Sequence, residues 1–341
     1  MSNNISTLYR LSLATIFTFA SIFVGEVTAA GVTLDFARAD AAPGNMRFSW
    51  IHGSRSAKHN TDVRVQVHRY NEHTYMLRQN PAIHWEAPFM YLLFGNDRAV
   101  LLDAGATAEA EYFPLLDTVN ELIARWEVAN GKSGTQLMVL PLGNDFSQIQ
   151  GVEQFTGRPN TVVVEPGAAG WKKYLELDNK VAGQGELELG GRKLSVVATP
   201  GLSDNAISLY DPYSDLLFTG NSFYAGRLVI RDFDAYKSSL KRLLELTSNV
   251  PVHMILGGRI EMSDYPGVDY ILRSNYRPRE ASLQLDLAAL EDASRIVLLV
   301  NGAKDIRIHN QFIVMNGVGR GARDHGWPTY TPERFRQVKL R

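Results

Sequence analysis

From residue 63 onward, short apolar runs rich in β-branched and aromatic residues alternate with turn residues. Residues 63–67 (VRVQV), 74–77 (TYML), 89–94 (FMYLLF) and 99–102 (AVLL) read as strands, the last two closed by the Gly95-Asn96-Asp97 turn of a hairpin. Phe113, Leu116, Val119, Leu122, Ile123 and Trp126 follow at the three-and-four spacing of an amphipathic helix. Residues 137–140 and 161–164 then predict buried strands, 168–175 a helix, and the Gly190-Gly191 pair a second hairpin. Strands are predicted over 194–198, 206–210 and 216–219, and a helix over 236–246 with Leu240, Leu243 and Leu244 on one face. A strand at 253–256 and a helix at 283–290 follow, and the apolar runs 296–300 and 312–314 close the folded part. A strand-rich half that ends in a helix is thus followed by another of the same kind. Two mixed sheets stacked between outer helices bury such faces, an α/β (α+β) sandwich of four layers.

The two ends of the chain depart from this rhythm. Arg10 precedes a mostly apolar run, residues 11–25, and then Glu26 and the small residues Val27-Thr28-Ala29-Ala30. That order is a secretory signal peptide, so residues 1–29 are expected to be removed and the mature protein to be periplasmic or secreted, with no membrane span left after cleavage. The run is short for a spanning helix. Residues 30–316 are expected to form one domain, and residues 317–341, rich in Gly, Arg and Pro, a flexible solvated tail or a basic interaction arm.

Composition narrows the chemistry. A formal net charge of −1 in 341 residues provides no field for nucleic acid, and the absence of cysteine rules out thiolate nucleophiles, disulfides and cysteine metal sites. Only His, Asp or Glu could ligate a metal, and there are eight histidines. Five of them, His52, His59, His68, His73 and His84, are N-terminal; His68 and His73 form the tightest pair and are expected to be surface residues of a hairpin.

Four stretches together resemble the metallo-β-lactamase superfamily. Residues 89–107 (FMYLLFGNDRAVLLDAGAT) are similar to its first hairpin and Asp-x-Gly turn, and 194–210 (LSVVATPGLSDNAISLY) to its Pro-Gly-His segment. Residues 217–222 (LFTGNS) are similar to its Thr-Gly-Asp segment, and 256–261 (LGGRIE) to its Gly-His segment. The resemblance, from about residue 50 to residue 314, implies the αββα fold and, in ordinary members, a dinuclear zinc site built on a His-x-His-x-Asp-His loop. Here that loop reads Gly143-Asn144-Asp145-Phe146-Ser147-Gln148, and residues 137–155 contain no histidine in any register. Leu202, Asn221 and Arg259 stand where further ligands are implied. An alkyl chain has no lone pair, a neutral amide is a poor bridge between cations, and a guanidinium repels them. The sequence therefore predicts no zinc and no other cofactor.

The altered mouth is expected to gather Asp145, Ser147 and Arg259 as candidate reactive groups. Asn144, Gln148, Asn221, Ser222 and Glu86 are its candidate ligand-binding groups, and Asp103 of the Asp-x-Gly turn a support beneath it. Arg259 is expected to pair with Asp145 in place of metal charge, or to hold a ligand's carboxylate or phosphate. Ser147, Ser203 and Ser222 are possible nucleophiles, but no histidine is expected at the mouth to serve as base. The implied protein is a pseudoenzyme that binds a small molecule or a protein partner. The alternative is a hydrolase of esters, thioesters or lactams with a metal-independent mechanism.

Overall fold

The computed structural model describes residues 32–37, 41–175, 183–324 and 329–330. The expected signal peptide lies outside the described residues. Six strands form the first sheet, in the order β1 (Val65–Asn71), β2 (Thr74–Gln79), β3 (Phe89–Phe94), β4 (Arg98–Leu102), β5 (Gln136–Leu140) and β6 (Thr161–Val163). The first four are antiparallel. Helix α1 (Leu115–Asn130) then carries the chain over to β5, which pairs parallel to β4. A short helix, α2 (Phe146–Ile149), follows β5, and α3 (Ala168–Tyr174) follows β6.

The second half repeats the scheme. Strands β7 (Gln184–Glu188), β8 (Lys193–Ala198), β9 (Ile207–Asp211) and β10 (Leu216–Gly220) are antiparallel. After β11 (Arg227–Ile230), helix α4 (Phe233–Thr247) leads to β12 (Met254–Gly257), which pairs parallel to β10. Strand β13 (Asp269–Tyr270) stands apart, while β14 (Gln284–Leu285) adds an edge to the second sheet ahead of helix α5 (Leu287–Val300). Strands β15 (Asp305–Ile308) and β16 (Ile313–Asn316) form a small sheet with β11, and β17 (Thr329–Tyr330) pairs with β13.

The side-chain parity of the strands sorts the core into two faces. Met76, Tyr91, Leu93, Val100, Leu102 and Met138 of the first sheet join Leu194, Val196, Leu209 and Phe218 of the second and Leu240 and Leu290 of α4 and α5 in one apolar cluster. Leu77, Met90, Leu92, Phe94, Leu101 and Val139 point the other way, onto Val119, Leu122 and Trp126 of α1. The layers are therefore helix, sheet, sheet, helices, as the sequence pattern predicts. Tyr91 Oη donates to the Gly257 carbonyl at 2.6 Å across the two sheets.

Two expectations change, and one apolar run finds its element. Residues 296–300 are the last turn and a half of α5: the buried series Ala289, Leu290, Ala293, Val297, Val300 keeps helical spacing while Leu298 and Leu299 face solvent. His68 and His73 are buried, not superficial. His73 Nδ1 accepts from the Trp126 indole at 3.0 Å, and burial, with Arg192 nearby, pushes its pKa down to about 4. Finally, Gly317–Asp324 does not run free: Arg320 reaches back into the sandwich mouth.

Candidate functional site

The loops that carry the expected site leave the carboxyl ends of β4, β5, β8, β10 and β12, and the loop before β3, which runs opposite to β4, joins them. These ends surround a cavity of about 380 Å³. In open α/β sheets ligands bind outside this end of the strands.

Arg259, which follows β12, is the polar centre. It is 7% exposed and pairs with Glu86, not with Asp145 as the sequence suggests. Its Nη1 also approaches Ser147 Oγ at 3.4 Å, its Nη2 lies 3.2 Å from Tyr224 Oη, and the guanidinium sits 4.7 Å above the Tyr224 ring. Arg320 donates to the same Glu86 oxygen at 2.9 Å, pairs with Glu261, and lies 5.3 Å from the Trp85 ring. Glu86, Arg259, Arg320 and Glu261 thus form a closed quartet of two cations and two carboxylates. Burial pushes the Glu261 carboxyl up, but Arg320, Arg259 and Arg227 outweigh this and hold it down at about 2.

Asp145 lies at the same mouth with other partners. It accepts from Asn221 Nδ2 at 3.1 Å, and Arg231, 62% exposed, stands 3.8 Å away. Pairing with Glu86 suits Arg259 because the loop before β3 brings that carboxylate into the buried floor, whereas Asp145 sits nearer the rim. Asn221 Nδ2 is also 3.2 Å from Ser147 Oγ. Ser147 therefore receives two donors, and among the described residues its own O–H meets no acceptor. A nucleophilic serine needs the reverse, a base to take that proton.

The remaining candidates support the site or lie outside it. Asn144 is exposed and accepts from Ser203 Oγ at 2.7 Å, and Ser222 is held by Thr199; neither lines the cavity. Gln148 turns inward and donates to Asp103 at 3.1 and 3.2 Å. Asp103 adopts a φ of 62°, a conformation aspartate tolerates better than most residues, and accepts the Leu142 N–H at 2.7 Å. No cation sits on this buried carboxyl, so burial raises its pKa to about 7 against the pull of the Leu142 and Gln148 hydrogen bonds.

Sequence reasoning misses Arg231, Glu261, Arg320, Trp85, Tyr224 and His84. Only Glu261, inside the LGGRIE stretch, and Arg320, in the basic tail, carried a signal. His84 corrects the expectation that no histidine reaches the mouth: it lines the cavity with its ring 5.6 Å from Phe146, and burial lowers its pKa, but it makes no hydrogen bond to Ser147.

The zinc that the resemblance implies does not fit these groups. Leu202 presents an alkyl chain, Asn221 an amide, and Arg259 a buried permanent cation where ligands would stand. Among the described residues no three His, Asp or Glu side chains converge in a metal-holding group.

No protein-family model matches the chain. A segment of 94 residues is 33% identical to the acyl-coenzyme A thioesterase MBLAC2 of Gallus gallus, covering 26% of this chain. The chain spans about a third (34%) of that relative's length. Among solved structures the chain is similar to a metallo-β-lactamase from Pontibacter korlensis, 16% identical with a TM-score of 0.44 over 69% of this chain and 99% of the other. A metallo-β-lactamase from Erythrobacter litoralis is 13% identical, with a TM-score of 0.48 over 69% and 97%. ETHE1 from Myxococcus xanthus is 20% identical, with a TM-score of 0.37 over 51% and 71%. The order of strands in the two sheets and the flanking helices agree with the αββα arrangement that the sequence resemblance implies.

Proposed function

We propose that this metallo-β-lactamase-fold protein acts outside the cytoplasm as a noncatalytic binder of a small molecule, its hydrolytic metal site replaced by fixed side-chain charge. The observation that carries this reading is the quartet Glu86–Arg259–Arg320–Glu261, which fills the polar floor with ion pairs while leaving a cavity above it. A side chain that is permanently charged and buried can orient a ligand, but it cannot generate hydroxide as a metal does.

The test is a screen of esters, thioesters and lactams on the full chain, alongside native mass spectrometry for retained small molecules. Turnover no greater in the protein than in Ser147→Ala or Asp145→Ala is expected, and dialysis against zinc should leave no stoichiometric metal. Turnover abolished by Ser147→Ala, or tightly held zinc, would overturn the reading. Export rests on the N-terminal pattern, and sequencing the mature N-terminus should find Ala30 first; intact residues 1–29 on the active protein would refute it.

A second reading has one supporting observation: the Asn221 amide donates to both Asp145 and Ser147, holding a carboxylate and a hydroxyl at one mouth, from which a metal-independent hydrolase could be built with Asp145 as base toward water. The thioesterase named among the relatives makes thioesters the first substrates to try.

A further inference from the structure

We infer that the cavity takes a small organic monocarboxylate, its carboxylate on Ser147, Arg259 and Arg320 and its apolar body against Leu202, Phe146 and Val229. This rests on the binding reading above. The argument is a count of hydrogen-bond donors. Arg259 Nε and Arg320 Nε have no partner, the former lying 4.0 Å from the nearest Glu261 oxygen, beyond hydrogen-bond range. Ser147 Oγ accepts twice and spends no proton. One oxygen of Glu86 serves both guanidiniums. The two guanidiniums and the Ser147 hydroxyl therefore hold donors that no neighbour among the described residues meets, and buried donors call for acceptor oxygens.

The charge count limits how many charges the ligand carries. Arg227, Arg231, Arg259 and Arg320 line the cavity, and each faces a carboxylate: Asp269, Asp145, Glu86 and Glu261 respectively. With four cations already matched by four anions, each charge a ligand brings is uncompensated in a partly desolvated site, so one charge costs less than the two of a dianion such as phosphate. A single carboxylate adds the least charge, and Arg231, exposed at the rim and 3.8 Å from Asp145, is the cation best placed to offset it through solvent. Leu202, Phe146 and Val229 add apolar surface to the lining. A ligand with one charged end and a short alkyl or aryl body satisfies both surfaces, in a volume within the usual range for small-molecule sites.

The experiment is calorimetric titration of the full chain with benzoate and hexanoate, their neutral amides, hexylamine and inorganic phosphate, at constant ionic strength. The carboxylates should bind and the others should be at least about tenfold weaker, the discrimination that a hydrogen bond to a charged group provides. Ser147→Ala and Arg320→Ala, both checked for an unchanged circular dichroism spectrum, should each weaken benzoate or hexanoate by about tenfold or more. Amides, amine or phosphate that bind as tightly as the carboxylates would overturn the ligand class while the binding reading survives. Carboxylate affinity unchanged in both variants would overturn the placement. No binding by any probe would also overturn the inference, and only Ser147-dependent turnover would remove the binding reading with it.

Discussion

Arg192 and Arg259 are both buried guanidiniums facing carboxylates, yet they are built differently. Arg192 spends all five N–H donors: Nε and Nη2 on Asp211, Nη1 on the His73 and Phe94 carbonyls, and the second Nη2 proton on Thr74. It ties the β8 end of the second sheet to β2 and β3 of the first. Arg259 leaves Nε unpaired, shares Glu86 with a second arginine, and faces a cavity. The comparison distinguishes a cross-link, whose partners are complete, from a site, whose partners are complete only when something else enters. In this pair the unpaired donor and the adjoining cavity together, rather than burial, mark the difference.

The largest effect should come from cutting the saturated centre. Arg192→Met leaves the buried Asp211 carboxylate without its cation, held by Ser214 and the Tyr213 N–H, and takes one donor each from the His73 and Phe94 carbonyls. Breaking a buried pair from one side costs about 3–5 kcal/mol. Urea unfolding should show that loss or an insoluble product; a loss under about 1 kcal/mol would end the distinction between the two arginines.

Two buried aspartates extend the comparison. Asp211 has Arg192, whereas Asp103, beneath the site, has only the Leu142 and Gln148 amides, and burial raises it to about 7. A carboxyl whose folded pKa lies above its ordinary 3.8 binds its proton more tightly when folded, so stability falls as pH rises from about 4 to about 7 and levels off above that. His73 works in the opposite sense. Its neutral form contributes stability above pH 6.5, which is lost as pH falls toward about 4. Asp103→Asn removes the first effect alone. Relative to the wild type, the variant should gain on the order of 2 kcal/mol between pH 5 and pH 8. A difference that stays flat with pH would show that Asp103 is ionised throughout.

Much of the fold was legible because it depends on local periodicity. The apolar positions of α1 and α4, the Gly95-Asn96-Asp97 turn and the Asp-x-Gly turn each declare themselves within a few residues. Residues 296–300 stayed without an element because a short apolar run fits a strand or a helix equally well, and only the continuing spacing from Ala289 decides. The site was legible in its loops but not in its pairings. Arg259 has two carboxylates at the mouth, Asp145 and Glu86, and the true partner lies 173 residues away with no pattern linking them. Arg320 read as a solvated tail because a lone arginine among glycines reveals no destination; two buried carboxylates determine it. His84 was missed for the same reason, since only the packing of the loop before β3 turns it inward.

The smallest effect tests the comparison most sharply. Arg259→Met removes the buried cation of the unsaturated centre, but Glu86 keeps Arg320 and Glu261 keeps Arg320 and the Arg227 N–H. No carboxylate is stranded, one unsatisfied donor disappears, and the methionine packs on the Tyr224 ring that now carries the guanidinium. Because Glu86 and Glu261 both keep Arg320, the loss should stay below the ~3–5 kcal/mol of a buried pair broken from one side, and so below the Arg192→Met loss. Carboxylate binding should nevertheless disappear, because the variant takes a charged donor from the floor. Together the two variants separate the roles: one should cost folding and leave no question of function, the other should cost function and leave folding intact. Equal losses of stability in the two would mean that Arg259 is a cross-link like Arg192, and that the cavity beside it is incidental.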